Sequence, residues 1–246
     1  MVHRHYYYFG SEIQKKMVGD NLNMENWDLL RNDEKEGPFS IEKTVEAYEA
    51  NCKDSHSYEG AANIITREIG KMGYVSKVVS LGVGKGILEW HLKRLNPELR
   101  VECTDYAEES VEKLRKVFVN MDDGYPFDMM DGDYRRFGSD SLMIMYRVST
   151  EFNRKQWDDV FMKMHSEGIE RIIFVPAELC TIKDIIREEK WHFINRLTGH
   201  KDIFCGWMYS ESEFLRMFRG TGANPLYKVE SRIPYENTAI YYLSSR

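Results

Sequence analysis

The pattern of apolar and polar positions changes at about residue 77. From there on, short apolar segments of the kind that form buried strands alternate with segments in which apolar residues recur every three or four positions, as in amphipathic helices. The predicted strands are 78–81, 101–104, 127–130, Ser141–Tyr146 and Arg171–Val175, and the predicted helices between them are 87–95, 107–120 and 154–165. This alternation is typical of parallel strands joined by right-handed crossovers, so it predicts a doubly wound α/β sheet.

The first 57 residues have a different, more polar pattern. Helical patterns at 11–18, 23–30 and 41–52 are separated by breaker residues. We therefore expect residues 1–57 to form a helical N-terminal cap, which acts as a lid over a substrate site. The main domain would then cover 58–246 and begin with an amphipathic helix.

The C-terminal third departs from the simple alternation. Residues 178–207 are polar and aromatic with a helical pattern inside them, and we expect this insertion to form a wall of the substrate site. Two alternating segments, 226–233 and 238–243, predict an antiparallel hairpin that closes the sheet.

Composition and charge narrow the classes of function. The 246 residues include 34 Lys and Arg against 40 Asp and Glu, and no stretch collects five or six basic residues, so nucleic-acid binding is not favoured. The four cysteines are far apart, which is typical of a reduced cytoplasmic protein and gives no zinc-site spacing. No apolar run approaches the roughly 20 residues that span a bilayer, so we expect no membrane association.

The most informative segment is a glycine-rich turn between the first predicted strand and the next helix. Gly82, Gly84 and Gly86 have the spacing GxGxG, which allows a backbone to approach a ligand closely. The dinucleotide fingerprint GxGxxG would need glycine at position 87, where the chain has Ile87, and the phosphate-loop motif is also absent. A tight turn that binds no ligand is the alternative.

An acid stands at the end of the second predicted strand. Asp105 lies 19 residues after Gly86. A carboxylate at this place can accept hydrogen bonds from both hydroxyls of a ribose. Asp105 also precedes a predicted helix, so a helix-capping role is the alternative, and the two roles are compatible.

Residues 80–86, Asp105-Tyr106 and Gly132-Asp133-Tyr134 together resemble the class I S-adenosylmethionine-dependent methyltransferases. The resemblance extends from about residue 58 to the C-terminus and includes the terminal pair of strands. It implies a seven-stranded sheet in the order 3-2-1-4-5-7-6 with the last strand antiparallel. It also implies S-adenosylmethionine as the cofactor and methyl transfer as the activity.

The resemblance assigns roles to individual residues. In the family, the glycine turn packs against the methionyl part of the cofactor, and the matching residues here are Gly82, Val83 and Gly84. Asp105 matches the acid that binds the ribose. Residues at the adenine would be Tyr106 as a flat contact, Asp133 as the acid that accepts the amino group, and Tyr134 as a second flat contact. Tyr146 falls where the wall between cofactor and substrate begins.

One position departs from the family. Two residues before the first glycine the family usually has Asp or Glu, whereas this chain has Ser80. Serine keeps hydrogen-bonding capacity at the cofactor but lacks the charge. Weaker cofactor affinity, another acid in its place, and a protein that kept the fold without the activity remain open alternatives. So do transfer of an aminopropyl or aminobutyryl group from a related cofactor, and a nicotinamide oxidoreductase.

The acceptor is expected to be a small molecule that is methylated at oxygen or nitrogen without a metal. The nucleic-acid methyltransferase signature [DNS]PP[YFW] is absent after the fourth predicted strand, and no set of acids matches the magnesium site of the metal-dependent members. Candidates for substrate binding at the carboxyl edge are Arg147, Glu151, Glu178 and His192. An ion pair on the surface or a place in the core is the alternative for each, and no general base is assigned.

The chain opens on an aromatic segment at residues 3–9. A lid over the cofactor, a contact in a homodimer and ordinary core packing are the three alternatives for it.

Overall fold

The structure is a computed structural model, and it describes residues 3–8, 40–199, 202–218 and 225–246. The strands are β1 His3–Tyr8, β2 Lys77–Leu81, β3 Arg100–Asp105, β4 Asp123–Pro126, β5 Ser141–Tyr146, β6 Arg171–Val175, β7 Asp202–Met208, β8 Tyr227–Tyr235 and β9 Thr238–Ser245. The helices are α1 Val45–Asp54, α2 His56–Lys71, α3 Ile87–Leu95, α4 Glu108–Val117, α5 Arg154–Ser166, α6 Ile182–Thr198 and α7 Glu211–Met217, and one 3-10 turn covers Tyr134–Phe137.

Seven of the strands form one sheet in the order β4-β3-β2-β5-β6-β9-β8. β2 to β6 are parallel to their neighbours, whereas β9 runs antiparallel to β6 and to β8. Counted along the chain within this sheet, the order is 3-2-1-4-5-7-6, so the predicted fold class and the antiparallel closing strand are confirmed.

Two apolar layers cover the sheet. On one face, α5 and α7 contribute Trp157, Phe161 and Phe214 to a cluster that includes Val79 and Leu81 of β2. On the other face, the core of α1 to α4 packs against the intervening positions of the same strands, in the two-residue alternation that a strand imposes. Burial on both faces explains why the central strands are continuously apolar.

The strand order reverses at β2, which lies between β3 and β5. Leu81 is in register with Thr104 on one side and with Met145 on the other. The carboxyl ends of the three strands therefore meet at one edge, with the chain leaving β2 and β5 toward different helices. This is the place in a doubly wound sheet where ligands bind.

The third predicted strand was placed wrongly, because it lies at Asp123–Pro126 and not at 127–130. Its backbone pairs with β3 as far as Pro126, and the Phe127 amide donates to the carbonyl of Asp105 at 2.9 Å. Asp128 then turns the chain, since its carboxylate accepts the amide of Met130 at 2.7 Å.

The N-terminal cap is only partly helical. The predicted helix at 41–52 corresponds to α1, whereas the helices predicted at 11–18 and 23–30 lie outside the described residues. Residues 3–8 form a strand, β1, which pairs in parallel with β7 as a separate two-stranded sheet. β1 lies ahead of the first predicted helix, and neither β1 nor β7, a strand of the 178–207 segment, was predicted.

None of the helices within the described ranges is long and apolar enough to cross a membrane.

Candidate functional site

The glycine turn follows β2 and opens α3. Gly82, Gly84 and Gly86 have φ angles of 70°, 54° and 65°, which side chains other than glycine rarely adopt. A Cβ atom on Gly82 would lie 2.6 Å from Cγ1 of Val148, so the loop that follows β5 is in direct contact with the turn. A Cβ on Gly84 would meet no atom within 4 Å, so the middle of the turn faces open space at the carboxyl edge.

Helix α1 supports the turn from behind. The Tyr48 hydroxyl lies 3.1 Å from the carbonyl oxygens of both Lys85 and Gly86, and the ring of Tyr48 is fully buried. This part of the N-terminal segment therefore packs against the turn and fixes its backbone.

Asp105 joins β3 to the glycine turn. Its Oδ2 accepts the amide of Gly84 at 3.0 Å, and its Oδ1 accepts the amide of Ala107, also at 3.0 Å. The N-cap of α4 is Ala107, which makes no side-chain cap hydrogen bond. The carboxylate, which is buried, thus orients the turn.

Two other residues named by the resemblance lie beside this acid. The side chain of Tyr106 is 55% exposed, so its ring has a face available to a ligand. Val83 is half-buried, and its amide donates to the carbonyl of Thr104 at 3.0 Å.

Tyr134 does not have the place that the resemblance implied. Its side chain is fully buried in the core, its hydroxyl donates to the carbonyl of Met129, and its ring packs edge-on against Phe127. Burial raises the pKa of this phenol. With both faces inside the core cluster, Tyr134 cannot be a flat contact for adenine.

Asp133 is also a poor match. It caps the 3-10 turn at the surface, and its two carboxylate oxygens accept from the guanidinium of Arg135 at 2.8 and 3.2 Å. These hydrogen bonds hold the pKa of Asp133 below its usual value. The carboxylate is engaged with its own neighbour and not with the glycine turn.

The segment after β4 does reach the turn, through Met129. The methyl carbon of Met129 lies 3.9 Å from the position of a Cβ on Gly82, and Asp128 is the second residue after β4. We missed both residues because the strand was placed four positions too late. An acid directly after the third strand was the signal that would have identified them.

Ser80 is paired with an acid that sequence analysis did not identify. Its buried hydroxyl donates to Oε1 of Glu89, which lies in the first turn of α3 and is itself buried. Burial raises the pKa of Glu89 to about 7, although the hydrogen bond from Ser80 opposes this shift. A carboxyl group is therefore present next to position 80, but it comes from α3.

A cluster of aromatic and charged groups lies at the end of β5. Arg147 has a φ of 61°, and its amide donates to the carbonyl of Val175 at 2.7 Å. Its guanidinium binds Glu236, at the turn between β8 and β9, with Nη2 2.8 Å from Oε2. Tyr146 is half-buried beside it, and its ring lies 5.4 Å from that of Tyr58 on α2.

The other predicted substrate residues are more dispersed. Glu178 follows β6 and is half-buried, and this burial raises its pKa. Glu151 is half-buried in the loop between β5 and α5. His192 belongs to α6, but its side chain lies outside the described part of the structure.

No three His, Cys, Asp or Glu side chains are grouped as metal ligands would be, as far as the described residues go.

The comparisons with known proteins show the fold of the chain and nothing finer. No family model and no curated protein matches the chain. Among solved structures, magnesium protoporphyrin IX methyltransferase (ChlM) from Synechocystis PCC 6803 with bound SAH has a TM-score of 0.57 at 13% identity, over 94% of this chain and 100% of that one. Human N-acetylserotonin methyltransferase in complex with SAM has a TM-score of 0.53 at 12% identity, over 82% of this chain and 55% of that one.

A third match has a different description. It is a putative Zn-dependent alcohol dehydrogenase from Rhodobacter sphaeroides, with a TM-score of 0.57 at 12% identity, over 75% of this chain and 88% of that one. A likeness at this level of identity assigns no reaction. The sheet order and the methyltransferases among these matches nevertheless show that the chain has the fold of the class I S-adenosylmethionine-dependent methyltransferases.

Proposed function

We propose that the protein transfers a methyl group from S-adenosylmethionine to an oxygen or nitrogen of a small molecule. The observation that carries this proposal is the pairing of Asp105 with the glycine turn. The carboxylate and the open backbone at Gly84 lie 3.0 Å apart at the edge where three strands end. A nucleoside whose ribose binds the acid would extend its substituent along the turn.

The residues present fit such a cofactor. Gly84 leaves the space that a side chain would fill, Tyr106 offers an exposed ring, and Asp128 is the first acid after β4. Two of the methyltransferase structures with this fold were solved with SAH or SAM, which supports the same cofactor class here.

The chemistry asks little of the protein beyond positioning. S-adenosylmethionine, when bound, supplies a methyl group on a positively charged sulfur. The chain must align an acceptor atom in line with that bond, and it needs a base only where the acceptor carries a proton. Glu178 is our candidate for that base, since burial raises its pKa and thereby its basicity.

The proposal includes no metal, because the described residues offer no group of three metal-ligating side chains. Transfer of an aminopropyl or aminobutyryl group would use the same adenosine site, and product analysis separates it from methyl transfer.

Titration calorimetry tests the cofactor class. We expect S-adenosylmethionine and S-adenosylhomocysteine to bind with dissociation constants near micromolar, equivalent to about −8 kcal/mol, and NADH not to bind. Binding of NADH alone would favour an oxidoreductase. Binding of none of the three would favour a protein that has the fold without the activity.

A pair of variants tests which acid lies at the adenine. We expect Asp128→Ala to weaken S-adenosylhomocysteine binding by roughly 5- to 30-fold, because a ligand amino group would lose its acceptor, at about 1–2 kcal/mol. Asp133→Ala should leave the affinity within a factor of two, since that carboxylate binds Arg135 at the surface. The reverse ranking, measured by the same calorimetry, would restore Asp133 as the adenine acid.

A further inference from the structure

We infer that Tyr146 and Arg147 bind a carboxylate group of the methyl acceptor, so the acceptor is a small organic acid. This inference rests on the proposed function, because it assigns the acceptor to the space beside the same glycine turn. It starts from polar atoms at the end of β5 whose hydrogen-bonding capacity the free protein does not use.

Two neighbouring side chains each have a buried polar atom with no hydrogen-bond partner within the described structure. They are Oη of Tyr146 and Nε of Arg147. Buried polar groups are nearly always paired in folded proteins, because an unmade hydrogen bond is costly away from water. Two such donors side by side indicate a place that a ligand completes.

The edge of the Arg147 guanidinium formed by Nε and Nη2 is only half used. Its Nη2 binds Oε2 of Glu236 at 2.8 Å, whereas Nε on the same edge remains unpaired. A planar carboxylate binds such an edge with both oxygens, one on each nitrogen. Glu236 therefore accepts one hydrogen bond from this edge, whereas a ligand carboxylate would accept two.

The surroundings keep this edge in place. The carbon at the centre of the guanidinium lies 5.4 Å from the ring centre of Tyr146 and 6.0 Å from that of Tyr58. The backbone of Arg147 adopts a φ of 61°, which residues other than glycine rarely adopt, and the carbonyl of Val175 holds its amide. Such strain at a strand end persists only where the surrounding structure enforces it.

The site is both accessible and adjacent to the proposed methyl donor. The side chains of Arg147 and Glu236 are 36% and 39% exposed, so their ion pair is reached from solvent. Nε of Arg147 and the Tyr146 hydroxyl are buried behind it, so a ligand carboxylate would reach them by displacing that of Glu236. Val148, the next residue, makes the close approach to Gly82 at the glycine turn. The chain that follows β5 thus passes beside the turn, and we place the acid bound at Tyr146 and Arg147 in the adjoining space.

The binding test uses benzoate, with benzamide as its uncharged counterpart. Ligand-observed NMR on the full-length protein, with and without saturating S-adenosylhomocysteine, measures both affinities. We expect benzoate to bind at least 10-fold more tightly than benzamide and to remain bound when S-adenosylhomocysteine is present. Equal affinities would overturn the inference. Displacement of benzoate by S-adenosylhomocysteine would also overturn it, because the carboxylate bound there would then be the cofactor's own.

Variants separate this role from a structural one. We expect Arg147→Lys to lower benzoate affinity about 10-fold, since lysine keeps the charge and lacks the planar edge. Tyr146→Phe should lower it about 3- to 10-fold while leaving the melting temperature equal or higher, because the removed hydroxyl has no hydrogen-bond partner among the residues that the structure describes. Glu236→Gln should raise it, because a weaker competitor then occupies Nη2.

Arg135→Lys is the matched control, because Arg135 also pairs with a carboxylate but lies at the surface. Benzoate affinity should not change in this variant. Unchanged benzoate affinity in both Arg147→Lys and Tyr146→Phe would overturn the inference. Failure of S-adenosylhomocysteine to bind the wild-type protein would instead count against the proposed function, and benzoate binding that depends on Arg147 would still support the carboxylate site.

Discussion

Replacing Asp105 by alanine should weaken S-adenosylhomocysteine binding by roughly 10- to 100-fold. The ligand would lose the proposed hydrogen bonds from its two ribose hydroxyls to the Asp105 carboxylate, which are worth about 1.5–3 kcal/mol together. The amide of Gly84 would also lose its acceptor, which lies 3.0 Å away in the wild type, so the turn would be less well oriented before the ligand binds. Calorimetry on the purified variant measures the change.

Two further variants separate binding from folding. Asp105→Asn keeps one carbonyl oxygen, so we expect an intermediate loss of affinity. Asp122→Ala is the matched control, because Asp122 also accepts a backbone amide of β3, from Val101 at 2.7 Å, but at the amino end of the strand. It should lower the melting temperature without changing affinity. An unchanged affinity in Asp105→Ala would refute the assigned ribose site.

Replacing Glu89 by glutamine should remove a pH dependence of stability. The folded protein holds the Glu89 proton up to a pKa of about 7, whereas the unfolded chain releases it near 4.5. Between these values the native state binds more protons, so the contribution of Glu89 to stability falls as the pH rises. The free energy of unfolding of the wild type should therefore fall, relative to that of Glu89→Gln, by about 3 kcal/mol between pH 4.5 and pH 8. Urea unfolding of both proteins at each pH measures it.

Glu102→Gln is the control for Glu89. Glu102 is equally buried, but it accepts hydrogen bonds from Lys77 at 3.0 Å and from the Tyr125 hydroxyl at 2.8 Å. Removing its charge leaves Lys77 without its partner, so this variant should be less stable than the wild type at pH 8. If Glu89→Gln were less stable than the wild type at pH 8 in the same way, Glu89 would have to be ionised in the folded protein and stabilised by a partner, and the prediction would be wrong.

The parts of the fold that were predictable are those in which local pattern and tertiary structure agree. The central strands are short and apolar because both faces are buried, and the GxGxG spacing matches three residues that need positive φ. Asp105 could be identified because an acid at the end of the second strand necessarily lies at the edge beside that turn.

The rest depended on tertiary contacts that leave no local pattern. β4 contains Gly124 and Pro126, which have low strand propensity, so the apolar residues after it were taken for the strand. The acid at the adenine was consequently assigned to Asp133, although Asp128 is the first acid after the strand. Glu89 belongs to an ordinary amphipathic helix, and only the packing of α3 against β2 shows that its carboxyl is buried.

The pairing of β1 with β7 has a consequence for how the chain is made. β1 ends at Tyr8 and its partner β7 begins at Asp202, so β1 is synthesised long before the strand with which it pairs. Closing a loop of this length is entropically costly, and until β7 emerges from the ribosome the amide and carbonyl groups of β1 lack that partner. β8 and β9 follow β7 in the chain and belong to the main sheet, so we expect both sheets to be completed only after most of the chain has been made.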